Sequence, residues 1–259
     1  MKSMGIREVW NDNLLEELDG MMDVVDRYPF ISVDTEFPGV VIRPIGSFTA
    51  DAPLLYRYQI VRSNVDLLQL IQVAFSFADE HNNKPEPIHT WQFNLKFDIN
   101  SDMFSQDSIE ILMAAGIDFS ELARRGIESQ LFAEHIMVSG LVLNPDVSWI
   151  GFHSGFDFAY LLRMLSALPL PKTHTAFLDL VQIYFPNIYD LKYLMRSCEA
   201  LRGGLSQLAN GLNVSRIGPE HQSGSDALLT ADSFFAMRSK YFGDNINAEK
   251  FKDLIFGLS

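Results

Sequence analysis

The chain has 259 residues, and 20 Lys and Arg against 33 Asp and Glu give it a formal net charge of −13. This length, with 47 % apolar residues, is enough for a full hydrophobic core, and we expect one domain over residues 1–259. One cysteine excludes an intramolecular disulfide or a thiolate metal cluster and favours a reducing, intracellular compartment. The sequence contains no apolar run long enough to span a membrane, and its acidity argues against a generic nucleic-acid-binding protein.

The first part of the sequence predicts one helix followed by strands. Apolar residues at helical spacing from Trp10 to Val25 predict an amphipathic helix, with Asn13 and Glu16 as an N-terminal capping pair. Strands are predicted at 30–33, 73–77 and 90–97, and a short helix at 67–71. Since apolar and polar residues alternate over 90–97, we expect that strand to bury one face.

The remaining sequence predicts helices alternating with strands. Residues 105–140 have a helical pattern that is divided by Gly116, Gly126 and Gly140. Further strands are predicted at 147–152 and 187–190, and further helices at 156–165, 205–212, 227–241 and 248–256. This order predicts an α/β fold in which helices flank a central mixed sheet.

A pair of carboxylates follows the first predicted strand. In the segment VDTEF, Asp34 and Glu36 lie two positions apart and therefore point to the same side of an extended chain. Such a pair is unfavourable in apolar surroundings unless a cation neutralises it, and oxygen ligands favour Mg²⁺ or Mn²⁺. The alternative is a pair of solvated acids at the end of a strand.

Two more motifs place acids at the starts of helices. Asp157 in FHSGFDF follows a predicted strand directly, and its alternative role is to interact with the helix dipole. In HQSGSDALL, His221 precedes Asp226 by five positions, and its imidazole is a candidate general base. A capping aspartate and a surface histidine are the alternative for this motif.

In chain order, the four acids and the histidine form the DEDD-h pattern of 3′→5′ exonucleases. Two divalent ions about 3.5–4 Å apart would offset four such carboxylates, and they could activate a water and stabilise the leaving oxygen of a phosphodiester. The residues by themselves predict metal-dependent phosphoryl chemistry and nothing narrower.

Longer sequence segments surround these motifs. They are VDTEFPGVVIRPIG at 33–46, YRYQIVRSNVDLLQLIQ at 56–72, TWQFNLKF at 90–97, FHSGFDFAYLL at 152–162, FPNIYDLKYLMRSC at 185–198 and RIGPEHQSGSDALLT at 216–230. Together they resemble the Caf-one/Pop-two deadenylases, nuclease subunits of the CCR-four–NOT complex, over essentially the whole chain. The resemblance implies an RNase H-like (DnaQ-like) fold and the removal of mRNA poly(A) tails from the 3′ end, with release of 5′-AMP.

The resemblance also implies a role for each motif residue. Asp34, Glu36 and Asp226 would hold the metal ion that carries the attacking water. Asp34 and Asp157 would hold a second ion, and His221 would accept the proton. The implied ions are Mg²⁺, with Mn²⁺ or another divalent ion as alternatives. The implied partners are the 3′ end of poly(A) RNA, a NOT-type scaffold and a second deadenylase subunit, in the cytoplasm and also in the nucleus.

Three residues are candidates for contact with RNA. Phe37, next to the carboxylate pair, could stack on the terminal base, and Leu205 is a weaker candidate of the same kind. Where the family carries SCKNLKGGL, this chain has Glu199 and Arg202 in place of two lysines. If this segment contacts phosphates, RNA binding is expected to be weaker or more salt-sensitive, with Arg202 as the cation to test. An ordinary solvated arginine is the alternative.

Other classes of function share parts of this pattern. The chain could mainly bridge a scaffold and a second nuclease, with incidental activity of its own, or it could be a DNA exonuclease with the same chemistry. Among the remaining marked residues, Asp190 is interpreted as a structural cap, His153 as an orienting or core histidine and Cys198 as a small buried side chain.

Overall fold

A computed structural model describes residues 5–43 and 54–259, so the end of the segment at 33–46 lies outside the described residues. A six-stranded sheet forms the centre, in the order β1-β4-β3-β2-β5-β6. Its strands are β1 (Ile6–Val9), β2 (Phe30–Glu36), β3 (Gln72–Ala78), β4 (Thr90–Asn94), β5 (Ser148–Gly151) and β6 (Ile188–Asp190). Because β3 is antiparallel to β2 and β4 and all other pairings are parallel, the carboxyl ends of β2, β5 and β6 meet at one edge.

Helices cover both faces of the sheet. They are α1 (Leu14–Val25), α2 (Leu54–Val65), α3 (Gln106–Ala114), α4 (Phe119–Arg125), α5 (Ser129–Val138), α6 (Gly155–Ser166), α7 (His174–Tyr184), α8 (Leu191–Leu194), α9 (Leu205–Leu212), α10 (Ser223–Phe242) and α11 (Ala248–Phe251). Helix α10 lies across β2, β3 and β4, whereas α5 and α6 pack on the opposite face. The prediction of a mixed α/β fold is confirmed.

Fully buried aromatic rings fill the core between the sheet and α5 and α6. Phe75 of β3 lies 5.8 Å from Trp149 of β5, and Phe93 of β4 lies 5.0 Å from Phe132 of α5, measured between ring centroids. Burying rings of this size contributes much of the stability of a domain. This rigid layer supports the strand ends at which the acidic motifs lie.

The predicted helix at 67–71 is wrong. Helix α2 ends at Val65, and the next residues turn toward the sheet. The amide of Ile71 donates to the carbonyl of Glu36, and the carbonyl of Ile71 accepts from the amide of Leu95. The apolar character of Leu68, Leu70 and Ile71 thus reflects their burial in the core and not a helix.

The expectation that the strand near 90–97 buries one face is also wrong. Every residue of β4 is buried. Its polar side chains, Gln92 and Asn94, lie beneath α10, where Gln92 Oε1 accepts the amide of Gly224 at 2.9 Å and Asn94 Oδ1 accepts from Gln72 at 2.7 Å. The alternating polar residues of this strand are therefore buried as well, and they form hydrogen bonds to α10 and to the neighbouring strand. Such bonds are needed because a buried amide group without a partner is unfavourable.

Other differences concern ends and short elements. Strand β1 and helices α2 and α7 were not predicted, and α11 is shorter than the predicted helix at 248–256. Asn13 and Glu16 do not form the predicted cap, since Asn13 Oδ1 accepts the amide of Trp10, which precedes it, at 2.7 Å. No helix within residues 5–43 and 54–259 combines the length and the apolar character that crossing a bilayer requires.

Candidate functional site

The first two acids of the site project from the carboxyl end of β2 toward α10. Every second side chain of a strand lies on the same face, so Ser32, Asp34 and Glu36 share one face of β2. Ser32 Oγ donates to the carbonyl of Ala227 at 2.7 Å, so this face lies directly beneath the first turns of α10. The strand therefore carries Asp34 and Glu36 to the place where α10 begins.

The third acid enters from the neighbouring strand. β5 runs parallel to β2 and is followed at once by α6, which carries Asp157 in its first turn. Asp157 is buried, and its Oδ1 accepts a short hydrogen bond from Thr35 Oγ1 at 2.5 Å. Thr35 points to the opposite face of the strand from Asp34 and Glu36, so this bond ties Asp157 to the end of β2. The charge of Asp157 raises the pKa values of both acids, which shows that it lies near the pair.

The first turn of α10 contributes the fourth acid. The amide of His221 donates to Asp226 Oδ2 at 2.9 Å, with His221 in the left-handed conformation at φ +62°. Asp226 is buried, whereas the His221 side chain is exposed at the mouth of the site. One ligand atom from each of Glu36, His221 and Asp226 lies within 4.8 Å of the others, a spacing that suits a shared cation.

The electrostatics of the cluster demand positive charge. Burial, reinforced by Asp226, Asp157 and Glu36, raises the pKa of Asp34 well above its ordinary value. Burial, reinforced by Asp226 and Asp157, raises the pKa of Glu36 to about 8. Burial likewise raises the pKa of Asp157 to about 7 and shifts that of Asp226 upward. Asp34 and Glu36 are half-buried as whole residues, and burial is still the largest cause of the rise in both pKa values. A bound divalent cation would favour the ionised acids, so the oxygen-rich donor set fits Mg²⁺ or Mn²⁺.

Arg216, which lies outside the predicted DEDD-h set, completes the cluster. Arg216 Nη1 donates to Asp226 Oδ1 at 2.6 Å, and its charge lowers the pKa values of Asp34, Glu36 and Asp226 against the effect of burial. Arg216 begins the segment at 216–230, but no local sequence pattern relates it to Asp226, ten positions later. Only the loop between α9 and α10 brings them together.

Asp190, at the end of β6, holds the turn that carries Asp157. Its carboxylate is fully buried and accepts the backbone amides of His153, Ser154, Lys192 and Phe256 at 2.9–3.1 Å. Its interpretation as a structural cap is confirmed.

We expect Asp190→Asn to lower the free energy of unfolding by about 3 kcal/mol, because an amide nitrogen would then face buried donors. Urea unfolding monitored by circular dichroism measures this change. Asp146→Asn, at an exposed loop position, is the control and should unfold like the wild type. An Asp190→Asn protein as stable as the control would contradict the role of Asp190 in holding this turn.

The predicted RNA-contact residues differ in their surroundings. Phe37 is partly exposed, and its ring lies 5.0 Å from Phe156 and 5.2 Å from Tyr160 between centroids. Leu205 is partly buried at the start of α9, and Arg202 is exposed in the turn before it. Their contact with RNA stays a prediction.

The other marked residues are not part of the acid cluster. His153 is exposed rather than in the core, and its ring lies 5.1 Å from that of Phe256. Cys198 is buried as predicted, in an apolar cluster with Leu191 and Leu194 that also includes residues of α9 and α10.

Comparison with known proteins identifies the family. A model of the CAF1 family ribonucleases matches residues 9–134 and 142–234. Probable CCR4-associated factor 1 homolog 7 of Arabidopsis thaliana is 45 % identical over an alignment of 262 positions, which covers 99 % of this chain and 94 % of that protein. Poly(A) ribonuclease pop2 of Schizosaccharomyces pombe is 47 % identical over 253 residues, which are 98 % of this chain and 75 % of that protein.

Solved structures agree with this assignment. The Mg²⁺- and Mn²⁺-bound form of S. pombe Pop2p superimposes with a TM-score of 0.93 at 47 % identity, over 98 % of this chain and 100 % of that chain. A chain in the structure of the yeast NOT1 MIF4G domain co-crystallised with CAF1 gives 0.82 at 30 % identity, over 97 % and 96 %. E. coli exonuclease I, at 17 % identity and a TM-score of 0.54 over 82 % of this chain and 41 % of that chain, shares the RNase H-like fold. The predicted resemblance is confirmed, and the chain belongs to the CAF1 family of ribonucleases.

Proposed function

We propose that this chain is a divalent-metal-dependent, poly(A)-specific 3′→5′ exoribonuclease that shortens mRNA poly(A) tails and releases 5′-AMP. The observation that carries the proposal is the convergence of four carboxylates, with an exposed histidine beside them, at one edge of the sheet. The S. pombe relative is named a poly(A) ribonuclease, and its Pop2p structure holds Mg²⁺ and Mn²⁺. Both names support the substrate and the type of ion proposed for this chain.

The acids have distinct roles in this proposal. Asp34, Glu36 and Asp226 would hold one divalent ion, and Asp34 with Asp157 would hold a second. Such ions, when bound, activate a water and stabilise the leaving 3′ oxygen of a phosphodiester. Mg²⁺ is the proposed ion, and Mn²⁺ or another divalent ion is the alternative.

The proposed proton acceptor is His221. Its side chain is exposed next to Glu36 and Asp226, so an imidazole nitrogen can reach a water at the mouth of the cluster. The hydrogen bond from its amide to Asp226 keeps the residue in place, while its ring stays free to pass the proton to solvent.

RNA contact is proposed to be narrow. Phe37 follows Glu36 directly, and its partly exposed ring could stack on the terminal base. Leu205, at the start of α9, and Arg202, in the turn before it, are the other proposed contacts. A net charge of −13 leaves little basic surface for a long phosphate backbone. We therefore propose that the chain holds a few terminal nucleotides and relies on partners to retain the message.

The proposed partners are a NOT-type scaffold and a second deadenylase subunit, in the cytoplasm and also in the nucleus. The scaffold is supported by the likeness to a chain from the structure of the NOT1 MIF4G domain with CAF1. The second subunit is suggested by the name CCR4-associated factor of the A. thaliana relative.

A panel of substrates tests the activity. The isolated chain is incubated with oligo(A), oligo(U), oligo(C) and oligo(dA), in Mg²⁺, in Mn²⁺ and in EDTA. We expect 5′-AMP from oligo(A) with either metal, slower cleavage of the other RNAs, none in EDTA and a preference for oligo(A) over oligo(dA), since the 2′-hydroxyl distinguishes RNA from DNA. No hydrolysis of any oligonucleotide would favour the adaptor role, and equal cleavage of oligo(dA) would favour a DNA exonuclease.

A further inference from the structure

Arg216 connects two parts of the candidate site that belong to different helices. Its Nη1 donates to Asp226 Oδ1 at 2.6 Å and to Ser225 Oγ at 3.1 Å, both in the first turn of α10. Its Nη2 donates to Ser206 Oγ at 3.1 Å, at the start of α9. About four-fifths of the arginine side chain is shielded from solvent, so this geometry is held by the surrounding protein.

On the α10 side, Arg216 helps to fix the Asp226 carboxylate. Oδ1 accepts from the guanidinium and Oδ2 accepts from the amide of His221 at 2.9 Å. One bond to each oxygen determines the plane of the carboxylate. Each oxygen still has an unused lone pair that can face a cation.

On the α9 side, the arginine is tied to the segment that carries a predicted RNA contact. Ser206 follows Leu205 directly, and its hydroxyl accepts from Arg216 while donating to Glu220 Oε1 at 2.8 Å. The amide of Gly204 donates to Gln207 Oε1 at 2.6 Å, which closes the same turn. The start of α9 is thus held against the loop that leads into α10.

We infer that Arg216 is a positioning residue that couples residues 202–206, the candidate RNA-contact segment, to the proposed metal ligand Asp226. The inference rests on the proposed function. It assigns the arginine two separable effects: one arm orients the carboxylate, and the other sets the position of Leu205 relative to it. Lysine could supply the charge but has a single nitrogen, which does not reproduce the planar fork.

Two variants separate these effects. Arg216→Lys keeps the charge and loses the fork, whereas Ser206→Ala keeps the fork and loses the link to α9. Arg124→Lys is the matched control, since Arg124 is exposed on α4 and pairs with Glu121 there. Mn²⁺ affinity is measured by calorimetry without RNA, kcat and KM are measured on oligo(A), and folding is checked by circular dichroism.

We expect Arg216→Lys to bind Mn²⁺ about tenfold more weakly and to lose about 10- to 100-fold in kcat, as for other side chains that orient a metal ligand. Ser206→Ala should keep the wild-type Mn²⁺ affinity and raise KM by about 3- to 10-fold, because it removes the hydrogen bond between the Arg216 guanidinium and the start of α9. Arg124→Lys should match the wild type in every measurement.

Wild-type Mn²⁺ affinity and kcat in folded Arg216→Lys would overturn the inference, because the arginine would then supply charge alone. An unchanged KM in Ser206→Ala would remove the coupling to α9. If the wild-type chain cleaves no oligonucleotide, the proposed function fails, but the Mn²⁺ titrations still test the orientation of Asp226 by Arg216.

Discussion

Asp34→Asn is expected to lower kcat on oligo(A) by at least about 1,000-fold and, in EDTA, to raise the melting temperature. Asp34 is the acid proposed to contact both ions, and even a side chain that only orients a metal ligand is worth about 10- to 100-fold. In the folded chain without metal, Asp34 either stays ionised beside Asp226, Asp157 and Glu36 or binds a proton that it releases on unfolding, and asparagine avoids both costs. Asparagine has nearly the same shape, so lost packing does not offset this relief.

Kinetics and thermal melts on one preparation test both halves of this prediction. Asp19→Asn, at an exposed position on α1, is the matched control and should behave as the wild type. Added Mg²⁺ should raise the melting temperature of the wild type and of the control, but far less that of Asp34→Asn. Full activity of a folded Asp34→Asn protein, or a lower melting temperature in EDTA, would contradict the proposed role of Asp34.

Without metal, the chain is expected to lose stability as the pH rises from about 4 to about 8. The folded pKa of Glu36 is about 8 and that of Asp157 about 7, whereas their ordinary values are 4.5 and 3.8. Over this interval the folded state holds protons that the unfolded state releases. Each such proton lowers the free energy of unfolding by about 1.4 kcal/mol per pH unit.

Saturating Mg²⁺ should oppose this loss, because ionised carboxylates bind the cation and protonated ones do not. The difference in melting temperature between Mg²⁺ and EDTA should therefore grow from pH 5 to pH 8. Glu36→Gln removes one carboxyl group whose pKa is raised. The free energy of unfolding of this variant in EDTA should therefore fall less steeply with pH than that of the wild type. If the melting temperature of the wild type in EDTA rises between about pH 4 and about pH 8, the raised pKa values of Glu36 and Asp157 are contradicted.

Much of the fold was predictable wherever local pattern and tertiary contacts agree. Helix α9 has the predicted bounds, and β5 followed directly by α6 was predicted within two residues at each end. Both combine clear hydrophobic spacing with a sharp boundary. The predicted positions of Asp34, Asp157 and Asp226 at a strand end and two helix starts follow from the same local signals.

The errors arise where distant contacts override local pattern. The apolar residues of 67–71 include the helical spacing Leu67, Leu70 and Ile71. However, Leu68, Leu70 and Ile71 enter the core after α2 has ended. Gln92 is polar because it lies under α10, which follows it by more than a hundred residues. Arg216 was missed for the same reason, since its partners Ser206 and Asp226 lie ten positions away in opposite directions.

The order of the elements also has a consequence for biosynthesis. Asp34 and Glu36 belong to the second strand of the sheet, whereas Asp226 belongs to α10, which follows all six strands along the chain. During synthesis α10 leaves the exit tunnel after every strand of the sheet. Until α10 has docked, the carboxyl end of β2 carries Asp34 and Glu36 without Asp226. The proposed set of metal ligands is therefore completed only by the last long helix of the chain.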